Sequence, residues 1–420
     1  MAIRISSVLA ILFGTVFLST GQGLHQALIP IAASAFQFDA VALSILASVY
    51  FAGYLGGCFT SPMLIKRVGH TRTLAIAASL LSALSLAHII WPTEALWIVV
   101  RLFVGACFAN IDVVLESWLA DRAPPAERGK LLSFYRLCDL FALAMGQLMI
   151  AQASPTEFTL FAYVAILVSI AVIVVSVSVA PTPTLPEQVK VRFFQMAKRI
   201  PLSIVAASFH GVASGIYWGF APIFAAGLSE DRTMTGFILA ATLLGAALTQ
   251  FPIGIASDKY DRRILLRVIS MATAISALLV AFTSFFLKDV TIVAMFMYGA
   301  TSFCIYPIAI TYAFDRTQPS EFVEVGATVL IAYGIGAMVG PLLTPLALHF
   351  GNHSGAFVLM GVFYLMIFGF ALYREKVREP VAAEETVQHM HVPNTTQITL
   401  EMDPRVETKP EPSMTPEKEA

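Results

Sequence analysis

Charged side chains set inside long apolar runs are where this sequence could do chemistry. Arg101, Asp112 and Glu116 share one such run with Asn110, and Arg136 and Asp139 lie one helical turn apart in the next. At about 100° per residue, Arg101, Asp112 and Glu116 fall within about 60° of one another on one helix face. An ionisable group in the middle of a bilayer costs roughly 2.5–3.5 kcal/mol on insertion scales, so it faces a partner, a cavity or a water path. Carboxylates so placed can take up and release a proton, and a guanidinium can pair with the charged form. Two pairings fit the depths: Asp112 with Arg136, or Arg136 with Asp139. Either could serve function or simply lock helices together. The depth of Arg101 and Asp112 favours function, whereas Glu116 and Arg136 sit near helix ends that reach water, which favours a structural pair.

Two histidines extend the set. Gln22, His25 and Gln26 occupy neighbouring positions of one helix face, beside Gly21 and Gly23, where the backbone can approach a ligand. His210 and Tyr217 are seven residues apart and therefore stacked on one face, with Trp218 next to them. Imidazole titrates near neutral pH, so His25 and His210 are candidate proton carriers, although a lone helical histidine is more commonly a packing residue. His88, Trp91, Trp97, Tyr260 and Tyr373 lie near span ends and are read as interfacial residues. No metal site and no cofactor are expected. Cys58, Cys107, Cys138 and Cys304 lack ligand spacing and read as small packing residues, and His389 and His391 stand alone in a polar tail. No phosphate-binding glycine loop, nucleophile elbow or zinc-protease helix is present, so neither ATP drive nor enzyme chemistry is suggested.

The elements carrying these residues are membrane helices. Of the 420 residues, 57% are hydrophobic and 13% charged, too few charges to cover a soluble surface. Twelve apolar stretches, each near the roughly 20 residues that cross a bilayer, run over 5–30, 41–63, 73–91, 95–119, 131–152, 158–180, 201–227, 233–256, 264–286, 290–313, 325–349 and 355–373. They are numbered here as spans one to twelve. Basic residues collect in every second gap: Lys66, Arg67 and Arg72; Arg122, Arg128 and Lys130; Lys190, Arg192, Lys198 and Arg199; Lys259, Arg262, Arg263 and Arg267; Arg316; then Arg374, Lys376 and Arg378. The other gaps hold Arg232 and Lys288. Retention of Lys and Arg in the cytoplasm then places both termini there, in the cytoplasmic (inner) membrane. The first apolar run is too long for a cleaved leader and is read as an uncleaved helix. A net charge of −1 says nothing of nucleic acid, and none is expected as a partner.

A linker rich in proline, Pro181–Pro186, separates two halves. The expected layout is a six-helix bundle over 1–180, a cytoplasmic linker over 181–200, a second bundle over 201–376, and a disordered cytoplasmic tail over 377–420. A repeat supports the division. The basic turn at 254–263 recurs 192 positions earlier (254 − 62), Gly105 and Gly299 lie 194 apart (299 − 105), and so do Gly146 and Gly340 (340 − 146). Duplicated halves are how many secondary transporters are built.

The turn bearing Gly254, Asp258, Lys259, Arg262 and Arg263 resembles the G-x-x-x-D-[RK]-x-G-[RK]-[RK] loop of the major facilitator superfamily. The first-half copy, with Lys66, Arg67 and Gly69, is degenerate: Lys66 stands where the family has Asp and Pro62 where it has Gly, while Asp261 replaces the later Gly of the second copy. A gating role that needs the first-half acid is filled differently here or is absent. Arg101-x-x-x-Gly105 and Gly336-x-x-x-Gly340-Pro341 resemble two further family motifs. Leu115-Glu116-Ser117-Trp118-Leu119 with Arg128-Gly129 and Tyr135 looks like the YcaD-like bacterial branch. The resemblance implies an all-α membrane fold of twelve helices in two pseudo-symmetric bundles. It places spans one, four, seven and ten around a central cavity, so Gln22, Gln26, Asn110, Tyr217, Trp218 and Tyr306, joined by Tyr333, become substrate-cavity candidates. It also associates the arginine matched by Arg101 with proton coupling.

The expected function is therefore secondary active transport of a small organic solute, amphipathic and neutral or anionic, by alternating access with proton coupling, in a monomer whose partners are that solute, protons and the lipid bilayer. Two rivals are an uncoupled facilitator and a membrane scaffold or receptor-like protein that recruits partners through its tail.

Overall fold

The computed structural model describes residues 2–122, 128–176, 191–286, 290–351 and 354–377. Within them the helices are α1 (Ala2–Ala35), α2 (Ala40–Val68), α3 (His70–Ile90), α4 (Glu94–Arg122), α5 (Arg128–Leu148), α6 (Phe158–Ser176), α7 (Phe193–Arg199), α8 (Pro201–Leu228), α9 (Arg232–Lys259), α10 (Arg262–Phe286), α11 (Thr291–Ser302), α12 (Ile305–Phe314), α13 (Phe322–Gly351) and α14 (Gly355–Val377). Twelve spans among the described residues are long and apolar enough to cross a membrane. Spans one to six are α1 to α6, and α8, α9 and α10 are spans seven to nine. Helices α11 and α12 together form span ten, followed by α13 and α14. The expected disordered tail beyond Val377, the stretch Pro181–Pro186, and the side chains of Asp121, Arg122, Arg128, Lys130, Lys190, Lys288 and Arg378 lie outside the described residues.

Glycine sets the helix spacing, and it does so twice. A methyl group added at Gly105 of α4 would overlap the Tyr50 carbonyl oxygen of α2, and one at Gly299 of α11 would overlap the Thr242 carbonyl oxygen of α9. The two glycines are 194 apart and their partners 192 apart (242 − 50). Gly146 of α5 meets the Thr20 carbonyl of α1, and Gly340 of α13 meets the Val212 carbonyl of α8. Gly53 and Gly245 repeat the pattern against Leu102 and Phe296. Each half therefore uses the same two crossed pairs, packed backbone to backbone as small residues permit in lipid. Large apolar side chains such as Ile173, Phe251, Phe285 and Phe286 point outward to the hydrocarbon.

The duplication extends to the helix ends. Asp39 caps α2 by accepting from the Ala42 amide at 2.6 Å, and Asp231, 192 positions later (231 − 39), caps α9 by accepting from the Thr233 amide at 2.8 Å. At the basic turns the halves differ. Gly69 takes a φ of 85°, a backbone suited to glycine. Its counterpart Asp261 instead accepts from the Arg263 amide at 2.8 Å and pairs with the Arg263 guanidinium at 2.7 Å. The departure from the family loop is thus an acidic cap in place of a glycine turn. Burial alone would lift the Asp261 carboxyl, but the hydrogen bonds and charge of Arg263 outweigh it and hold it below the ordinary value. Arg262 bonds Ser257 at 3.1 Å and is ion-paired with Asp315 at the end of span ten, both side chains 3% exposed. In the first half Lys66 and Arg67 are exposed.

Three sequence expectations change. Span ten is not one continuous helix: it breaks at Phe303 and Cys304, four and three residues before Pro307, whose ring crowds the carbonyl of residue i−4. His88 and Trp97 are not interfacial, since both are fully buried. The Trp97 indole donates to the His88 carbonyl at 2.8 Å, and the two rings lie edge to face at 4.9 Å. The linker carries α7, whose flanking Arg192 donates to Glu324 from its amide at 2.7 Å and its guanidinium at 2.9 Å. Arg199 pairs with Glu321. The linker is thereby fastened to the start of α13. The end of the bundle holding α7 and the basic turns is called the linker face below.

The halves meet away from that face. Ser48 of α2 donates to the Met338 carbonyl of α13. Gly219 of α8 lies against Ala47, Gly334 of α13 against Leu55, and Gly236 of α9 against Gln147 and Leu148. Because a Cβ at Gly53 or Gly299 would strike a carbonyl oxygen, Gly53→Ala and Gly299→Ala should each destabilise by about 1–3 kcal/mol as overpacking does. Gly369→Ala, which meets nothing within 4 Å, should not. Thermal unfolding of the purified variants in detergent measures the difference.

Candidate functional site

A cavity of about 130 Å³ lies between the halves. Its two walls differ in kind. The first-half wall carries the ionisable groups Asp112 and Glu116 from α4 and Arg136 and Asp139 from α5, with Tyr50, Phe51 and Tyr54 of α2 and Gln22 and Gln26 of α1 beside them. The second-half wall is His210, Ser214, Tyr217 and Trp218 of α8, Tyr298 to Pro307 around the break in span ten, Gln250, Tyr333 and Tyr364. It holds no formal charge among the described residues. Lining residues run from the bilayer middle, at Gln22, Tyr54 and Tyr333, toward the linker face, where Glu116 and Tyr135 lie within a turn or two of helix ends. The packed contacts Ala47–Gly219 and Ser48–Met338 close the opposite side.

On the first-half wall, two networks divide the acids. Arg136 pairs with Asp139 at 2.5 Å, and Ser19 donates to the other oxygen of Asp139 at 2.7 Å. Of the two pairings the spacing allowed, the structure contains the second. Asp112 instead accepts from the Tyr54 hydroxyl at 2.7 Å. Arg101 lies behind this wall and lines only a smaller cavity with Gln26, Pro30 and Trp218. It donates to Gln26 Oε1 at 2.7 Å and contacts His25 Nδ1 at 2.9 Å, and its guanidinium sits over the Tyr50 ring at 4.3 Å. A guanidinium only donates, so His25 Nδ1 must accept and His25 is neutral while that bond holds. A proton added at His25 Nδ1 would break that bond. His25 also lies outside the lining of the main cavity. Asn110 is likewise displaced from the expected cavity set: it accepts from Ser61 at 2.9 Å and donates to the Ala106 carbonyl at 2.7 Å, binding α2 to α4.

The second-half wall is a hydroxyl chain. His210 Nδ1 and the Tyr364 hydroxyl are 3.2 Å apart, Tyr364 and Tyr298 hydroxyls 3.3 Å, and Ser214 bonds the Tyr333 hydroxyl at 2.8 Å. The buried hydroxyls of Tyr217 and Thr242 face each other. Tyr217 and Trp218 meet edge to face at 5.3 Å, and Tyr306 and Tyr333 do the same at 5.3 Å. Sequence reasoning missed Tyr50, Tyr54, Tyr298 and Tyr364, because a tyrosine in an apolar helix carries no signal of which way it faces. Gly254, Asp258, Lys259, Arg262 and Arg263, with Lys66, Arg67 and Gly69, lie at the linker face and not in the cavity. No cluster of metal ligands occurs among the described residues.

The Major Facilitator Superfamily profile matches residues 11–209 and again 203–401. The two matches start 192 residues apart (203 − 11), the offset of the basic turns. The chain belongs to the Major Facilitator Superfamily. The uncharacterised MFS-type transporter YcaD of Escherichia coli O17:K52:H18 is 23% identical over 359 residues, covering 84% of this chain and 92% of that protein. YcaD of Escherichia fergusonii is 23% identical over 366 residues, covering 86% and 94%. Among solved structures, the nucleoside transporter NupG superposes with a TM-score of 0.71 at 10% identity, covering 89% of this chain and 99% of that one. The inward-open xylose transporter XylE of Escherichia coli gives 0.67 at 15% identity, covering 91% and 98%. These two likenesses show the fold.

The Arg136–Asp139 pair generates a stability test. Removing either partner strands a charge that the helices largely bury, so Arg136→Met and Asp139→Asn should each cost about 1.5–3 kcal/mol, the scale of a charge-assisted hydrogen bond. The double variant should cost less than the sum of the two. Chemical or thermal unfolding of all four proteins checks the coupling.

Proposed function

We propose that this membrane protein moves a small organic solute by alternating access, driven by protons. Membership in a transporter superfamily supports the first part. The observation that carries the rest is the cavity between the halves, whose acids all stand on one wall. Asp112 is held by a hydroxyl and no cation, so it can take a proton without breaking an ion pair. Asp139 can do so only by releasing Arg136, which would then be free to seek Asp112 or Glu116. Proton uptake would in this way change the charge pattern that faces the second half, and a two-state fold responds to such a change.

The distribution of Lys and Arg supports a cytoplasmic linker face, with both termini on that side of the inner membrane. The cavity then opens to the cytoplasm and is sealed from outside by Ala47–Gly219 and Ser48–Met338. On this reading the first bundle covers 1–180 and the second 201–376. Each half moves as a rigid body because its glycine crossings allow little internal play. The cavity is complete within one chain, which supports a monomer as the working unit. Arg101 acts from behind the wall, holding Gln26 and Tyr50 in place.

Asp112 also revises the expected solute: its carboxylate on the cavity wall, held by the Tyr54 hydroxyl, disfavours an anionic one electrostatically.

In proteoliposomes loaded with a transported solute, flux should follow an imposed proton gradient. Asp112→Asn should abolish that dependence while solute exchange at equal pH persists at saturating solute, and Arg101→Ala should reduce both. Flux in Asp112→Asn that still tracks the gradient as wild type does would remove Asp112 from the coupling.

A further inference from the structure

The chain has 12 tyrosines and 31 phenylalanines, and the cavity does not sample them evenly. Eight tyrosines line it, at positions 50, 54, 135, 217, 298, 306, 333 and 364, but only two phenylalanines, Phe51 and Phe303. A wall selected for hydrophobicity alone would favour the commoner ring. What tyrosine adds is a face of negative electrostatic character together with a hydroxyl that can satisfy a polar ligand. The rings also come from both halves. Opposite the uncharged, ring-rich wall stand Asp112, Glu116 and Asp139; Asp139 is paired with Arg136, whereas Asp112 accepts from the Tyr54 hydroxyl. Arg101 is turned away behind Tyr50 and Gln26. A low-dielectric space with a carboxylate at Asp112 and π faces attracts one kind of molecule by both means at once.

We infer that the cavity binds an amphipathic organic cation, a quaternary ammonium or protonated amine attached to an apolar ring, with its charge toward Asp112 and its ring among Tyr217, Trp218, Tyr306 and Tyr333. This rests on reading the cavity as the transport site, and it adds the ligand class. A neutral polyol would use the hydroxyls and glutamines but gain nothing from the acids. An aromatic anion would use the rings but be repelled by the carboxylates. Protons and the cation compete for the same carboxylate, so each weakens the other's binding by linkage.

The test is equilibrium dialysis of the purified full-length protein against radiolabelled benzyltrimethylammonium, with benzylsulfonate and xylose as separate probes. Saturable binding of the cation is expected, weakening as pH falls, with none for benzylsulfonate. Asp112→Asn should weaken it roughly tenfold. Tyr306→Leu should weaken it as well, whereas Tyr306→Phe, which keeps the π face, should retain most of it. Because the two Tyr306 variants differ only in the ring, their comparison stands whatever Asp112→Asn does to folding. Absence of cation binding, equal binding of benzylsulfonate or xylose, or equal loss in Tyr306→Phe and Tyr306→Leu would each overturn the inference. Dialysis needs no gradient. Cation binding without proton-driven flux would sink the coupling and keep the ligand class, and proton-driven flux without cation binding would do the reverse.

Discussion

Hydrocarbon gives no partner to a polar group, and from that single constraint most of this architecture follows. Backbone amides are satisfied within helices, so the chain crosses as twelve helical spans. Helices cannot be driven together by the hydrophobic effect in lipid, so they rely on close backbone contact through small residues. Gly53, Gly105, Gly146 and Gly299 provide that contact, each against a carbonyl of a neighbouring helix. Charged side chains meet the same constraint in one of two ways. Arg262 and Asp315 pair inside one half, and Arg136 pairs with Asp139. Asp112 and Glu116, with the Arg136–Asp139 pair, gather on the cavity between the halves.

Rigidity inside the halves and polarity between them belong together. The crossings of α1 with α5, α2 with α4, α8 with α13 and α9 with α11 fix each bundle. Between the bundles the contacts are of another kind: side chains such as Ala47 and Leu55 against glycine faces, and one Ser48 hydroxyl on a carbonyl. Smooth surfaces of this sort can slide or part at low cost. The polar cavity interrupts these contacts toward the linker face. Arg192 and Arg199 fasten α7 to the start of α13 in the second half.

Much of this was legible in the sequence. Span lengths, basic turns and the 192–194 spacing give twelve helices in two related halves, because each rests on local composition or on a repeat. The acidic caps Asp39 and Asp231 repeat at the same spacing and were readable, though they were passed over. What failed was direction and depth. His88 and Trp97 have the sequence of an interface belt but pack against His25 and Phe161 in the first-half core, since a helix end inside a bundle is not a helix end in the headgroups. Asn110 shares a helix with Asp112 but is rotated onto α2. The tyrosines were invisible as a group because eight of them converge from seven helices. The ion pair of Arg136 was narrowed to two partners, and only the ring of Ser19, Tyr54 and neighbouring helices decided between them.

The central claim is that two rigid halves enclose one cavity and open it on one face at a time. Spin labels on cysteines at Arg67 and Tyr260 report the linker face across the halves, and labels at Glu94 and Glu230 report the opposite face; all four positions are exposed. Pulsed dipolar distances in lipid, measured at neutral and acidic pH, test the claim most directly. The account predicts that one pair draws closer as the other separates. Both distances moving in the same sense, or changes appearing within a half and not between halves, would contradict it.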